Sequence, residues 1–305
     1  FIEFVDIIHF LIKQNNMNIL IFGSNGNLGR QLIKFLLSRK KKYTICSLDN
    51  KKDLLFRLPN TYKITKKILE CKPDVIINLV AYADVDGCQK NLRRAYLSNV
   101  LSNSSISRSI NSSLVKVKPH LIHISTDHVY NRNGFNKENE IEIVNNYAFT
   151  KFLGEEATLN TNYTILRTNY IGQSAISEKE SLSDWIINSL SIDKKITGFA
   201  DIKFNPIHVS TLCEIIELCC IKKINGKYNV GANGSMTKYD YALLLADKMS
   251  LNTNLINRGI LNTELARRPK DMRMNTRKFE EKFDYQLPNM YDEVITNVFE
   301  YNNYK

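Results

Sequence analysis

The 305-residue chain carries 43% hydrophobic and 24% charged residues, an ordinary soluble globular balance, and no apolar run approaches the roughly 20 residues that would span a bilayer. Its formal charge of +11 is spread along the chain rather than gathered in a patch, with lysines at expected helix ends and no nucleic-acid motif, so neither nucleic acid nor membrane is an expected partner. Six cysteines, none in a CxxC, and no His pair at ligand spacing give no metal pattern; they fit a reducing compartment, and a cytoplasmic location is expected.

In chain order, Phe1 to Ile12 is apolar but short and broken by Glu3, Asp6 and His9, a poor signal peptide. Met17 directly precedes the first strand pattern, so residues 1–16 are set aside as an N-terminal extension. Ile19 to Phe22 reads as a strand, Leu28 to Leu37 as a helix, Tyr43 to Leu48 as a second strand and Thr61 to Cys71 as a helix. Asp74 to Leu79 is a third strand, Leu92 to Leu114 one long helix, His120 to Ser125 a fourth strand and Tyr163 to Arg167 a fifth, with a helix around Tyr147 between the last two. This alternation predicts an α/β fold, a Rossmann-type doubly wound parallel sheet. Beyond Thr168 the pattern loosens. Helices are expected at Ser183 to Leu190, Val209 to Cys220, Lys238 to Met249 and Asn289 to Tyr301, with short strands at Tyr228 to Val230 and near Leu255. The expected division is a dinucleotide-binding domain over 17–170 and a smaller C-terminal substrate-binding lobe over 171–305, packed on the first domain or interleaved with it.

Two motifs carry chemistry. Gly23-Ser24-Asn25-Gly26-Asn27-Leu28-Gly29 lies between the first strand and the first helix. A phosphate pair can rest on a helix N-terminus only where the backbone comes close, which demands glycine. A bare GxxGxxG also occurs in plain tight turns, but the strand before it and the amphipathic helix after it supply the required context. Asp49 ends the second strand, the position from which a carboxylate reaches a ribose 2′-hydroxyl; Lys51 and Lys52 follow it, so the choice between NADH and NADPH stays open. The second motif is Tyr147-Ala148-Phe149-Thr150-Lys151, which puts a phenol and an ammonium one helical turn apart. A tyrosine titrates near ~10, and a neighbouring ammonium is expected to draw that value down. Thr126, with Asp127 beside it, follows the fourth strand at the edge where open α/β sheets bind ligands, and is the candidate to hydrogen-bond a substrate oxygen.

With these residues in this order the chain resembles the extended short-chain dehydrogenases/reductases, and within them the dTDP-4-dehydrorhamnose reductases and related nucleotide-sugar-binding reductases. The likeness runs from about Asn18 to Pro288. It is carried by Pro73 to Asn78 with Ala81 to Asp86, by Ser125 to Tyr130, by Leu166 to Tyr170, by Gly226 to Val230 and by Arg267 to Met272. The resemblance implies a catalytic set of Thr126, Tyr147 and Lys151. It implies a cofactor site made by Gly23, Asn25, Gly26, Asn27, Leu28, Gly29, Asp49, Ala81, Tyr82 and Ala83, with Tyr147 and Lys151 at its nicotinamide end. Val85, Thr126, Asp127, His128, Tyr170 and Arg268 would meet the substrate. The implied reaction is NAD(P)H-dependent reduction of a nucleotide-linked 4-keto-6-deoxy sugar, for deoxysugar and surface-polysaccharide synthesis, by a chain that could form a homodimer. The sequence departs from the pattern at Arg57, where an acid is usual near the adenine, and at His128, where an aromatic is common. Two other functions fit the same motifs: a nucleotide-sugar epimerase or dehydratase, and a non-catalytic regulatory subunit. Trp185 and His208 read as a core anchor and a helix-entry residue.

Overall fold

In the computed structural model, residues 17–39, 43–47, 60–262 and 265–303 are described. The chain opens with strand β1 (Met17–Phe22), helix α1 (Asn27–Ser38), strand β2 (Tyr43–Ser47), helix α2 (Thr61–Cys71) and strand β3 (Val75–Asn78). Helices α3 (Val85–Lys90) and α4 (Leu92–Tyr96), a π-helical turn over Leu97–Leu101 and helix α5 (Ser102–Ile110) lead to strand β4 (His120–Thr126). Helix α6 (Asn146–Glu156) and strand β5 (Tyr163–Thr168) complete the first half.

These strands form a parallel sheet in the order β2-β1-β3-β4-β5, with Ile19 opposite both Ile45 and Val75, and Thr126 opposite Thr168. Both faces are covered, which is why the strands read as unbroken apolar runs. Ile19, Ile21, Val75, Ile77, Ile122 and Leu166 share a core with Leu32 and Leu36 of α1. Their neighbours Leu20, Phe22, Ile76 and Leu121 pack on Ile64 and Ile68 of α2 and Ile106 and Ile110 of α5. The two-residue alternation thus sorts one strand sequence onto two helix layers.

The single helix expected over Leu92 to Leu114 is not what forms. Two helices flank a π-helical turn, and the helical run ends at Ile110. The cause is polar. Asn99, buried inside the turn, spends its side chain on the backbone of Tyr82, while Ser102 hydrogen-bonds back to the Ser98 carbonyl. Such side-chain bonds compete with regular helical geometry.

The second half adds helix α7 (Leu182–Ser191), short strands β6 (Tyr170–Ile171), β7 (Ile196–Phe199), β8 (Lys203–Phe204) and β9 (Ile207–His208), and helix α8 (Val209–Lys222). Strand β10 (Gly226–Val230), β11 (Met236–Thr237), helix α9 (Lys238–Lys248), β12 (Ile256–Gly259), α10 (Arg277–Phe283) and α11 (Met290–Asn302) follow. Strand β10 returns to the main sheet and pairs parallel with β5, Val230 opposite Thr168. Leu212, Cys213 and Ile216 of α8 enter the same core as Leu32 and Leu36. One unit from the C-terminal half therefore completes the first sheet. His208 is the N-cap of α8 and meets the Glu300 carboxylate at 3.1 Å, so it ties that helix to α11. Trp185 packs against the core as a partly buried anchor. All six cysteines are free, and no described helix is long and apolar enough to cross a membrane.

Candidate active site

The strand order reverses between β2-β1 and β3-β4, and the glycine turn sits at that crevice. Gly23 has φ +87°, in the region where side chains clash with the backbone. Gly26 donates its N–H to the Gly23 carbonyl at 3.1 Å, and a Cβ on Gly29 would stand 2.3 Å from that same oxygen. Helix α1 starts without a side-chain cap and without an acidic residue in its first turn, so its N-terminal N–H groups are left for a ligand. This is a cradle shaped for a dinucleotide diphosphate, and the fit rests on backbone.

The predicted cofactor residues divide into two groups. Gly26 and Asn25 are exposed at the turn, whereas Leu28 is buried beneath it. Asn27 turns its carboxamide to the Ala175 N–H (2.7 Å), to Gln31 (3.2 Å) and to the Tyr170 hydroxyl. Tyr170 therefore reaches back to the glycine turn. Asp49 lies outside the described residues, as do Lys51, Lys52 and Arg57. Ala81, Tyr82 and Ala83 form the loop after β3. Asn99 holds this loop, accepting from the Tyr82 N–H at 2.8 Å and donating to its carbonyl at 3.2 Å. Asn99 also donates to Thr150 on α6 (3.0 Å), so one buried amide links the loop to the helix that carries Tyr147. Val85 opens α3 behind Asp84, its N-cap.

Thr126 ends β4, and its Oγ1 accepts from the His128 N–H at 3.2 Å as the chain bends into a 3-10 turn. The Tyr147 hydroxyl is hydrogen-bonded to Thr126. Burial pushes the phenol above its ordinary value and the nearby Asp127 adds to this, while the Thr126 bond acts in the opposite sense. The expected downward pull from Lys151 is thus not observed. The reason is burial, the largest influence on the phenol; the Lys151 Nζ donates to the Ile124 carbonyl at 2.6 Å. Lys151 is buried, and burial pushes its ammonium down to about 8, with Glu155 partly restoring it.

Asp127 is 1% exposed, and burial raises its carboxyl to about 7; Asn169 donates to it at 2.8 Å, and the Lys238 ammonium also favours its charged form. The His128 ring meets Tyr147 edge-on, centroids 5.3 Å apart, and burial pushes its imidazole down to about 3, which leaves it neutral. Arg268 makes a two-pronged bond to Asp86 (3.0 and 2.8 Å), closing the C-terminal half over α3. Arg94 lies 4.3 Å above the Tyr82 ring.

Thr126, Asp127, His128, Tyr147 and Tyr170 thus converge, with Lys151 beneath them. Reading the sequence missed Asn99, Asn169, Glu155 and Lys238. Asn99, Asn169 and Lys238 are distant in the chain from the residues they serve, Glu155 sits one turn from Lys151 but is aimed by Ser125 and Arg167 from β4 and β5, and a serine/asparagine-rich helix gave no signal of which amide would face inward. A cavity of about 720 Å³, lined by Arg30, Gln31, Lys34, Gln173, Ser210 and Glu300 among others, is not lined by Thr126, Tyr147 or Lys151.

A curated relative, dTDP-4-dehydrorhamnose reductase of Escherichia coli (strain K12), is 28% identical over 298 residues, covering 89% of this chain and 94% of that protein. Methionine adenosyltransferase 2 subunit beta of Bos taurus is 22% identical over 279 residues, covering 87% of this chain and 82% of that protein. Among solved structures, dTDP-4-dehydrorhamnose reductase from Bacillus anthracis str. Ames in complex with NADP superimposes with a TM-score of 0.82 at 23% identity, over 93% of this chain and 99% of that one. The family model described as RmlD substrate binding domain matches residues 17–302, and the chain belongs to that family, the nucleotide-sugar reductases of the short-chain dehydrogenase/reductase type.

Proposed function

We propose that this protein reduces the 4-keto group of a nucleotide-linked 4-keto-6-deoxy sugar with NADPH, as the name of the E. coli relative describes for that protein. The observation that carries the reading is the Thr126–Tyr147 hydrogen bond at the crevice beside the glycine cradle. NADPH, when bound, supplies the hydride. Gly23, Gly26 and Gly29, with the backbone of Asn25, Asn27 and Leu28, would hold its diphosphate, and Ala81, Tyr82 and Ala83 would flank its nicotinamide. The NADP bound in the B. anthracis structure favours NADPH over NADH.

In this reading Thr126 holds the ketone oxygen and Tyr147 gives it a proton. Burial keeps the phenol protonated but makes it a weak acid, and the positive charge of Lys151 would ease release of its proton to the ketone oxygen. Lys151 holds the cofactor ribose, and its positive charge offsets the phenolate left behind. Asp127, His128, Val85 and Tyr170 border the sugar, and Arg268 meets the nucleotide diphosphate. The net change is ketone to alcohol, with one hydride and one proton consumed and NADP⁺ released. Six free cysteines support a reducing compartment, which we take to be the cytoplasm.

The test is purified protein with dTDP-4-dehydrorhamnose and NADPH, followed by loss of reduced-cofactor absorbance. Substrate-dependent oxidation is expected. Its absence with this and other nucleotide 4-keto sugars overturns the reading. A second reading, a regulatory subunit without turnover, draws on the likeness to the bovine adenosyltransferase subunit. It predicts inactivity together with a stable protein partner.

A further inference from the structure

The most deeply buried ion pair among the described residues lies beside the proposed catalytic set, not within it. Arg167 on β5 and Glu155 on α6 are both fully buried, and the guanidinium grips the carboxylate with Nε (2.9 Å) and Nη2 (2.6 Å). The remaining fork is also engaged: Nη1 donates to the Tyr130 hydroxyl (2.8 Å) and the Glu138 carbonyl (2.7 Å). A buried pair of this kind is weak grounds for stability, because desolvation offsets the attraction and an apolar pair would often serve as well. Its surroundings give it another use. The Ser125 hydroxyl donates to Glu155 Oε1 at 2.5 Å, and Ser125 is both the register partner of Arg167 and the residue before Thr126. Glu155 also lies one helical turn after Lys151, on the same face of α6.

Resting on the reductase reading, we propose that Glu155, locked by Arg167, is a positioning residue that fixes α6 against the end of β4, so that Lys151 stays charged under the crevice and Thr126 stays opposite Tyr147. The charged and titratable groups around Lys151 are few. Glu155 faces it from its own helix, and His123 faces it from β4, held neutral by burial and by the Lys151 charge itself. Lys227 approaches Glu155 from β10 at 3.8 Å, and Arg167 from β5. Glu155 is thus the one acid acting on Lys151 among the described residues, and Arg167 with Ser125 sets where it points.

The test compares wild type with Ser125→Ala, Glu155→Gln and the double variant Glu155→Met/Arg167→Met, which replaces the pair by apolar side chains of similar length. Lys151 is titrated by NMR of 13C-lysine protein, assigned with Lys151→Arg, and kcat and KM are measured across pH. Both Glu155 variants should titrate Lys151 at a pH lower by at least about half a unit. They should move the alkaline limb of kcat the same way and lower kcat about tenfold or more, with NADPH affinity within roughly threefold. Ser125→Ala, which keeps the ion pair, should lower kcat several-fold and leave KM in place. Folded Glu155 variants with the wild-type Lys151 titration and pH profile overturn the proposal. If Glu155→Gln, which leaves the buried Arg167 charge without its acid, does not fold, the double variant decides on the same readouts. If wild type turns over no keto sugar, the reductase reading fails, and the Lys151 titration still decides the positioning role.

Discussion

Tyr147 and Lys151 stand one turn apart on α6, yet each polar tip engages a different part of β4: the phenol meets the Thr126 side chain, and the ammonium donates to the Ile124 carbonyl at 2.6 Å. The strand end therefore spaces acid and cation. Tyr147→Phe removes the proton donor and little else, since the ring still packs against His128. We expect kcat to fall about 10²–10⁴-fold, the usual worth of a positioned general acid, with NADPH affinity within about threefold. Steady-state kinetics and cofactor fluorescence titration check both halves. A variant that keeps more than a tenth of wild-type kcat removes Tyr147 from the chemistry.

Lys151 sets the pH dependence. In the proposed function its charged form is needed, and that form persists below about 8, so kcat should fall as pH rises through that value. The sign for stability is opposite. The folded value lies below the ordinary lysine value, so burying the ammonium costs stability below pH 8, and the cost fades as pH rises toward ~10.4. Lys151→Met removes that cost but leaves the Ile124 carbonyl unpaired. At pH 7 we expect a net gain on the order of 1–2 kcal/mol, visible as a higher Tm, together with loss of activity. A lower Tm at pH 7 contradicts the account.

Much of this was legible in the chain. The glycines, the Tyr–Lys spacing and the strand-end Ser125-Thr126-Asp127 are local patterns, and strands buried on both faces announce themselves as apolar runs such as Val75 to Asn78. What escaped is what depends on pairs far apart in sequence. The direction of Lys151 is set by a strand carbonyl 27 residues earlier. The break in the helix after Leu92 is set by the Asn99 amide bonding Tyr82. The parallel place of β10 beside β5 depends on where α8 packs, which no short window encodes.

Asp127 offers a test by stability alone. Its folded value, about 7, stands above the ordinary carboxylate value, so the folded state holds a proton that the unfolded chain has released. Stability contributed by this group is therefore lost as pH rises from about 4 to about 7, and the full cost is present above 7. Asp127→Asn removes the charge and keeps an acceptor for the Asn169 donor. Thermal melts at several pH values should show the variant more stable by on the order of 2–4 kcal/mol at pH 8 and nearly equal to wild type at pH 4. Parallel curves across that range reject the assigned direction.

The glycine cradle is graded. A Cβ at position 29 would meet the Gly23 carbonyl at 2.3 Å and the Ser24 backbone at 2.7 Å, whereas one at position 26 would meet that carbonyl at 3.2 Å. Gly29→Ala must open the turn and should cost roughly 1–3 kcal/mol of stability and at least about tenfold in NADPH affinity. Gly26→Ala should cost less on both measures. Equal effects, read by melting and by cofactor titration, refute the steric ranking.

Arg268 closes the C-terminal half over α3 through a two-pronged bond to Asp86, and that bond holds the Asp86 carboxyl below its usual range. Both partners are partly exposed, so the pair adds little stability, about 1 kcal/mol or less. Its value in the proposed function lies in aiming a guanidinium at a diphosphate, where two parallel N–H groups match two oxygens. Substrate would then compete with Asp86 for the same fork. Arg268→Met should raise KM for the nucleotide sugar about tenfold or more with kcat within about twofold, because the contact is equal in ground and transition states. Asp86→Asn should act the other way, lowering KM modestly by freeing Arg268. If initial-rate kinetics show an unchanged KM in Arg268→Met and a reduced Tm instead, Arg268 is a strap between α3 and the C-terminal half, and the diphosphate must be held elsewhere.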